Sequence, residues 1–233
     1  MDYIDLLNNE TYDISDVIRL FYSSYDDDIL SNHSEEEFLG VGNKLLTALQ
    51  HYSIDEIIDI LDILDDGTDM LPLINSTNIP QFSDINAIEP LLPYVEANAG
   101  DKCTYALIGY LFYKDSKVGA QTKYGENHYK TAMLMGLTKK KKPFDVTPLG
   151  KLYMELPIPV VKKLKPLLYL RIPLVRHVLI KAKTEFVNVS EIMALSLSDS
   201  TVRRRLSNVK ILIEALVSLS INKVNYDINI KWV

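Results

Sequence analysis

Apolar residues recur at helical spacing along most of this chain, and that period confines it to a mainly helical fold. Ile54, Ile57, Ile58, Leu61 and Leu64 form one stripe; Val202, Leu206, Val209, Ile213 and Leu216 form another. A stripe of this width has to be buried against a second element, so each marks a helix packed on a core. At 233 residues the chain is long enough for two or three such cores.

Charge divides the chain more sharply than hydrophobicity does. Met1 to Gly100 holds 21 Asp+Glu against 2 Lys+Arg, and Asp101 to Val233 holds 10 against 23, so the halves carry −19 and +13 within a total of −6. A polyanion responds to the local field, and the second half is therefore suited to nucleic acid despite the acidic whole. No apolar run approaches the roughly 20 residues of a membrane span, and Asp2 and Asp5 do not make the basic start of a signal peptide. A soluble, cytoplasmic protein is expected, nucleoid-associated if the source is prokaryotic.

Turn and cap residues divide the chain into an acidic helical region at 1–67, a linker at 68–84, and two units at 85–157 and 158–233. In the first region, helices are expected from Ser15, from Ser34 through Leu49, and from Ser53, whose Asp55 and Glu56 suit a first turn. The linker carries Pro72 and Pro80 among Asn and Ser. In the first unit, a helix over 86–97 is followed by one capped by Thr104. Next come a turn over 117–122, a helix over about 123–137, a basic loop at 139–142, a short strand at 144–146, and a helix start at Thr147-Pro148. The second unit repeats the order, with helices over 160–169 and 173–184, a short one from Ser190 through Leu195, a turn at 196–199 and a long helix capped by Ser198 or Ser200 and reaching about Leu219. A hairpin is expected over 221–233. The predicted fold is mainly α with small β-hairpins, an acidic helical N-terminal region preceding two winged helix-turn-helix units.

On the helix from Ser200, the face opposite the apolar stripe carries Ser200, Arg203, Arg204, Ser207 and Asn208. In a helix-turn-helix the second helix enters the major groove, where Arg pairs bidentately with guanine and Asn with adenine. The arginine run Arg203 to Arg205 also fits an ordinary solvated face. In the first unit, Tyr129, Ala132, Met133 and Gly136 suit an inward face, leaving Lys123, Tyr124, Asn127, Lys130 and Thr131 outward. Tyr124, followed by Gly125, equally suits a packed turn. Lys139, Lys140, Lys141 and Lys142 form the densest positive run, suited to phosphates or to a solvated turn. Lys162, Lys163 and Lys165, with Arg171 and Arg176, extend the positive field on this reading.

Cys103 reads as a small hydrophobe at a helix start. His33, His51, His128 and His177 are scattered, and none stands at metal-ligand spacing, so neither metal nor cofactor is implied. There is no phosphate loop, nucleophile elbow or dinucleotide fingerprint.

Two runs, YGENHYKTAMLMGL (124–137) followed by VTPLG (146–150), and LSDSTVRRRLSNVK (197–210), resemble the tandem winged-helix regions of restriction-modification-associated proteins. The resemblance covers about 80–217 and implies DNA binding through the helices that carry these runs. It includes no nuclease segment. The expected protein is a non-enzymatic, sequence-selective binder of double-stranded DNA in a restriction-modification, defence or transcription-regulation setting. Its acidic region would recruit a protein partner, self-associate, or rest on the basic surface. The alternative is a protein-interaction adaptor built on winged helices; a hydrolase subunit is a third reading.

Overall fold

The computed structural model describes Tyr22 and residues 51–65 and 70–233. The helices expected from Ser15 and from Ser34 to Leu49 lie outside the described residues, apart from helical Tyr22. What is described is mainly helical: α1 (Ile54–Asp65), α2 (Ile88–Ala97), α3 (Tyr105–Phe112), α4 (Val118–Leu134), α5 (Pro148–Glu155), α6 (Ile158–Leu168), α7 (Pro173–Ala182), then strand β1 (Val187–Asn188), α8 (Val189–Ala194), α9 (Asp199–Val217), α10 (Lys223–Asn229) and strand β2 (Ile230–Lys231). Single 3₁₀ turns stand at Leu71–Leu73, Ile85–Ala87 and Tyr169–Arg171.

The chain forms two compact units, cut differently from the expected regions. Pro80–Val161 is one; the described residues of the other are Tyr22, 51–65, 70–79 and Lys162–Val233. Part of the expected acidic region therefore packs with the C-terminal residues, and the expected linker is divided between the units. That linker is not a free tether, because Met70, Ile74, Ile79 and Phe82 are buried.

In the Pro80–Val161 unit, Asp84 accepts a hydrogen bond from Asn86 N (2.9 Å) ahead of α2. Thr104 caps α3 by accepting from Leu107 N (3.2 Å), and Thr147 caps α5 by accepting from Gly150 N (3.1 Å) with Pro148 at the first helical position. The closest packing is α3 on α4. A methyl at Gly125 would overlap the Tyr105 carbonyl oxygen, and one at Gly109 would overlap the Gln121 carbonyl. These glycines let the two backbones touch, and Gly125 lies within a continuous helix that starts at Val118, where a turn was expected. Leu91, Leu92, Ile108, Ala132, Leu149 and Leu152 fill the core beneath.

In the other unit, Ser53 and Glu56 form a capping box at the start of α1. Ser53 N donates to Glu56 Oε2 (2.8 Å) and Glu56 N to Ser53 Oγ (3.2 Å). Ile54, Ile57, Ile58 and Leu61 of α1 are buried, with α7 as the main neighbour. Buried Asp55 accepts from Ser220 Oγ (2.6 Å), Ile221 N (2.9 Å) and Asn222 Nδ2 (3.0 Å), fastening α1 to the segment that leaves α9. Lys183 bridges Asp59 (2.7 Å) and Asp62 (2.9 Å). Opposite charges from the two ends of the sequence thus meet inside one unit.

The hairpin expected over 221–233 is absent. Lys223–Asn229 is helical, with Tyr226 turned inward, and Ile230 pairs in parallel with Val187. Val224 and Ile228 suit a strand by composition, but their spacing of four is helical and the buried Tyr226 completes an amphipathic turn, with Ile221 in the turn before it.

Candidate nucleic-acid interface

The last turn of α4 determines where the basic loop goes. Leu137 N donates to Ala132 O (2.9 Å) and Gly136 N to Met133 O (2.9 Å), with Gly136 at φ 81°. This is a Schellman motif, which needs a left-handed residue and reverses the chain sharply. Residues 137–139 then lie antiparallel to 145–147: Lys139 N donates to Asp145 O (2.9 Å) and Thr147 N to Leu137 O (3.0 Å), with Thr138 bridged to Val146. A third segment joins at Gly100, bridged to Phe144. Lys140, Lys141 and Lys142 occupy the exposed tip of this ribbon.

Aromatic groups hold the ribbon to α4. Phe144 lies 4.5 Å from the Tyr129 ring and 4.7 Å from Tyr105, while Tyr129 Oη donates to Lys139 O (2.8 Å). Burial pushes the Tyr129 phenol well above its ordinary range, so it remains a donor. At the tip, Lys142 Nζ stands 5.6 Å from the Phe144 ring, and Lys139 pairs with Asp145 at 3.0 Å. Cys103 is buried, and burial followed by Asp145 raises its thiol pKa.

Along α4, Glu126 accepts from both Lys123 (2.8 Å) and Lys130 (2.6 Å), so those cations are partly neutralised by their own helix. Asn127 is half-buried. Thr131 is not outward as expected: it is fully buried, with its hydroxyl bonded to Asn127 O (2.9 Å) and Gln81 O (3.2 Å). Tyr124 is only half-exposed because its ring stacks on His128 (4.0 Å) and meets Tyr113 (4.4 Å), leaving little face for a base. Exposed Lys114 and Lys117, absent from the expected set, stand in the turn ahead of α4. Gln121 holds that turn by donating to Tyr113 O (2.8 Å) and Lys114 O (3.2 Å). Their sequence signal was Lys117 before the small residues Gly119 and Ala120, which begin the helix rather than break it.

In the other unit, α8 and α9 are joined by a short turn over 195–198. Ser200, Arg203, Arg204 and Ser207 are exposed on one side of α9, as the periodicity predicts. Asn208 is not with them. It is 7% exposed, since it lies one residue before buried Val209 and four before buried Leu212. Arg205 also leaves the face, donating to the carbonyls of Ser76 and Ile79, the latter at 2.9 Å. Arg171, Arg176 and Lys165 are withdrawn from the surface: all three are buried, and Arg176 pairs with Asp65 (2.8 Å) and donates to Tyr22 O (2.8 Å). The acids of α1 engage Lys183 and Arg176, and neither lies on the exposed face of α9.

Among the described residues no His, Cys, Asp or Glu group is arranged to hold a metal ion, and no helix is long and apolar enough to cross a membrane. Comparison with protein-family models, with curated proteins and with solved structures finds no match to this chain.

Proposed function

We propose that the chain binds double-stranded DNA, with the Pro80–Val161 unit acting as a winged helix-turn-helix. In this reading α3 and α4 are the helix pair and the ribbon over 137–147 is the wing. The observation that carries it is the position of Lys140, Lys141 and Lys142 at the exposed tip of a ribbon fixed to α4 through Tyr129. Cations carried on the tip of an anchored ribbon beside a helix suit phosphates flanking a groove, and each phosphate neutralised releases condensed counterions. Lys114 and Lys117 extend the same field to the start of α4. Arg203 and Arg204, with Ser200 and Ser207, supply the base-reading face of a second helix-turn-helix that has no wing.

The resemblance of 124–137 with 146–150, and of 197–210, to restriction-modification-associated regions supports a non-catalytic role in restriction, defence or transcription control. A protein-binding adaptor is the second reading, favoured by Glu126, which engages two of the cations on α4.

Titration of a labelled duplex across a salt series tests the proposal. Wild type should bind with a steep salt dependence, and Lys140→Ala with Lys141→Ala should flatten the logarithmic slope by about 2. Arg203→Ala with Arg204→Ala should instead narrow the gap between a selected duplex and a random one. Absence of duplex binding at about 50 mM salt would overturn the reading and leave the adaptor.

A further inference from the structure

The helix that replaces the expected hairpin presents an apolar edge to solvent. Ile221, in the turn before α10, is 85% exposed, and on α10 itself Val224 (70%) and Ile228 (52%) stand four residues apart on the side opposite buried Tyr226. Leu219, 47% exposed, extends the edge toward α9. Two β-branched side chains on one helix face with a third in the turn before it are more than scattered surface hydrophobics, and burying them against a matching surface is favourable.

The flanking charges identify the matching surface. Exposed Lys223 and Asp227 are four residues apart, so they share one flank of the apolar row. When a helix packs antiparallel on a copy of itself about a two-fold axis, equivalent flanks face each other with their order reversed. Lys223 of one copy then meets Asp227 of the other, twice, while the Ile221, Val224 and Ile228 rows close together. A two-fold interface must be self-complementary, and this surface is. We infer that α10 is a homodimerisation element, its occupant a second copy of this chain packed antiparallel across the Ile221, Val224 and Ile228 row.

Sedimentation of the full chain without DNA tests the inference independently of nucleic-acid binding. Wild type should show a concentration-dependent dimer. Ile221→Glu with Val224→Glu should weaken association at least about tenfold while helical content and melting stay as in wild type. Lys223→Asp and Asp227→Lys should each weaken it, since each places like charges across the axis. Mixing those two variants should restore a heterodimer, because every facing pair is again opposite in sign. A wild type that is monomeric at all accessible concentrations, or a dimer indifferent to the Ile221 and Val224 changes, would overturn the inference. Single charge variants that associate as wild type does would overturn the antiparallel register.

Discussion

The Tyr129 hydroxyl donates to the Lys139 carbonyl at 2.8 Å, joining α4 to the first lysine of the basic run. Asp145 O lies 3.3 Å from the same hydroxyl, so one buried oxygen holds both arms of the ribbon. Tyr129→Phe should cost about 1 kcal/mol of stability, the usual net worth of such a bond. The diagnostic measurement is amide exchange: Lys139 and Asp145 should exchange faster while the α3–α4 pair keeps its protection.

Two glycines of α4 should respond to the same substitution with opposite signs. Gly125→Ala drives a methyl into the Tyr105 carbonyl and Gly109 N, backbone atoms that have little room to yield, and should destabilise by about 3 kcal/mol or more. Gly119→Ala meets nothing within 4 Å and should stabilise by about 0.5–1 kcal/mol through helix propensity. Urea denaturation of the two variants against wild type checks both.

His128 predicts a pH dependence of defined sign. Its Nδ1 lies 2.9 Å from Tyr124 O, which can only accept, so Nδ1 carries the proton and Nε2 accepts from Ser83 N (3.4 Å). Burial holds its pKa below the ordinary imidazole value, against the opposing pull of the Tyr124 bond and of Asp84. The unfolded chain therefore binds the proton first as pH falls. The stabilisation is fully present above about pH 6.5 and is lost as pH drops through the folded pKa. Wild type should lose melting temperature relative to His128→Gln between about pH 7 and pH 5; comparison with the variant cancels other titrating groups.

Asp55 predicts coupling between segments more than 160 residues apart. Asp55→Ala leaves the Ile221 N–H and the Ser220 and Asn222 side chains without their carboxylate and should cost about 2–3 kcal/mol. Limited proteolysis should then cut earliest near 218–222, and unchanged cleavage there would argue that α1 and α10 are secured by apolar packing alone.

What the sequence disclosed was local. Ser53 with Glu56, Thr104, and Thr147 with Pro148 announce helix starts through their own side chains, and each start stands where they indicate. The lysine run likewise forms an exposed loop. What it concealed depends on distant partners. Nothing near Ile230 says that it will pair in parallel with Val187. Arg203, Arg204 and Arg205 are identical letters, and only the carbonyls of Ser76 and Ile79 separate the third from the first two. Val224 and Ile228 misled by composition while their spacing was correct, since β-branched residues favour strands only where a partner strand exists.

The unit that contains α1 and α7 to α10 is interrupted in sequence by all of Pro80–Val161. An emerging polypeptide therefore completes the inserted body while α1 still lacks the helix it packs on and the donors that Asp55 requires. The interrupted body must wait for Ile230 to reach Val187. Until α7 is made the Ile54, Ile57, Ile58 and Leu61 stripe stays uncovered, so α1 should gain its native contacts later than the lysine-tipped insert does.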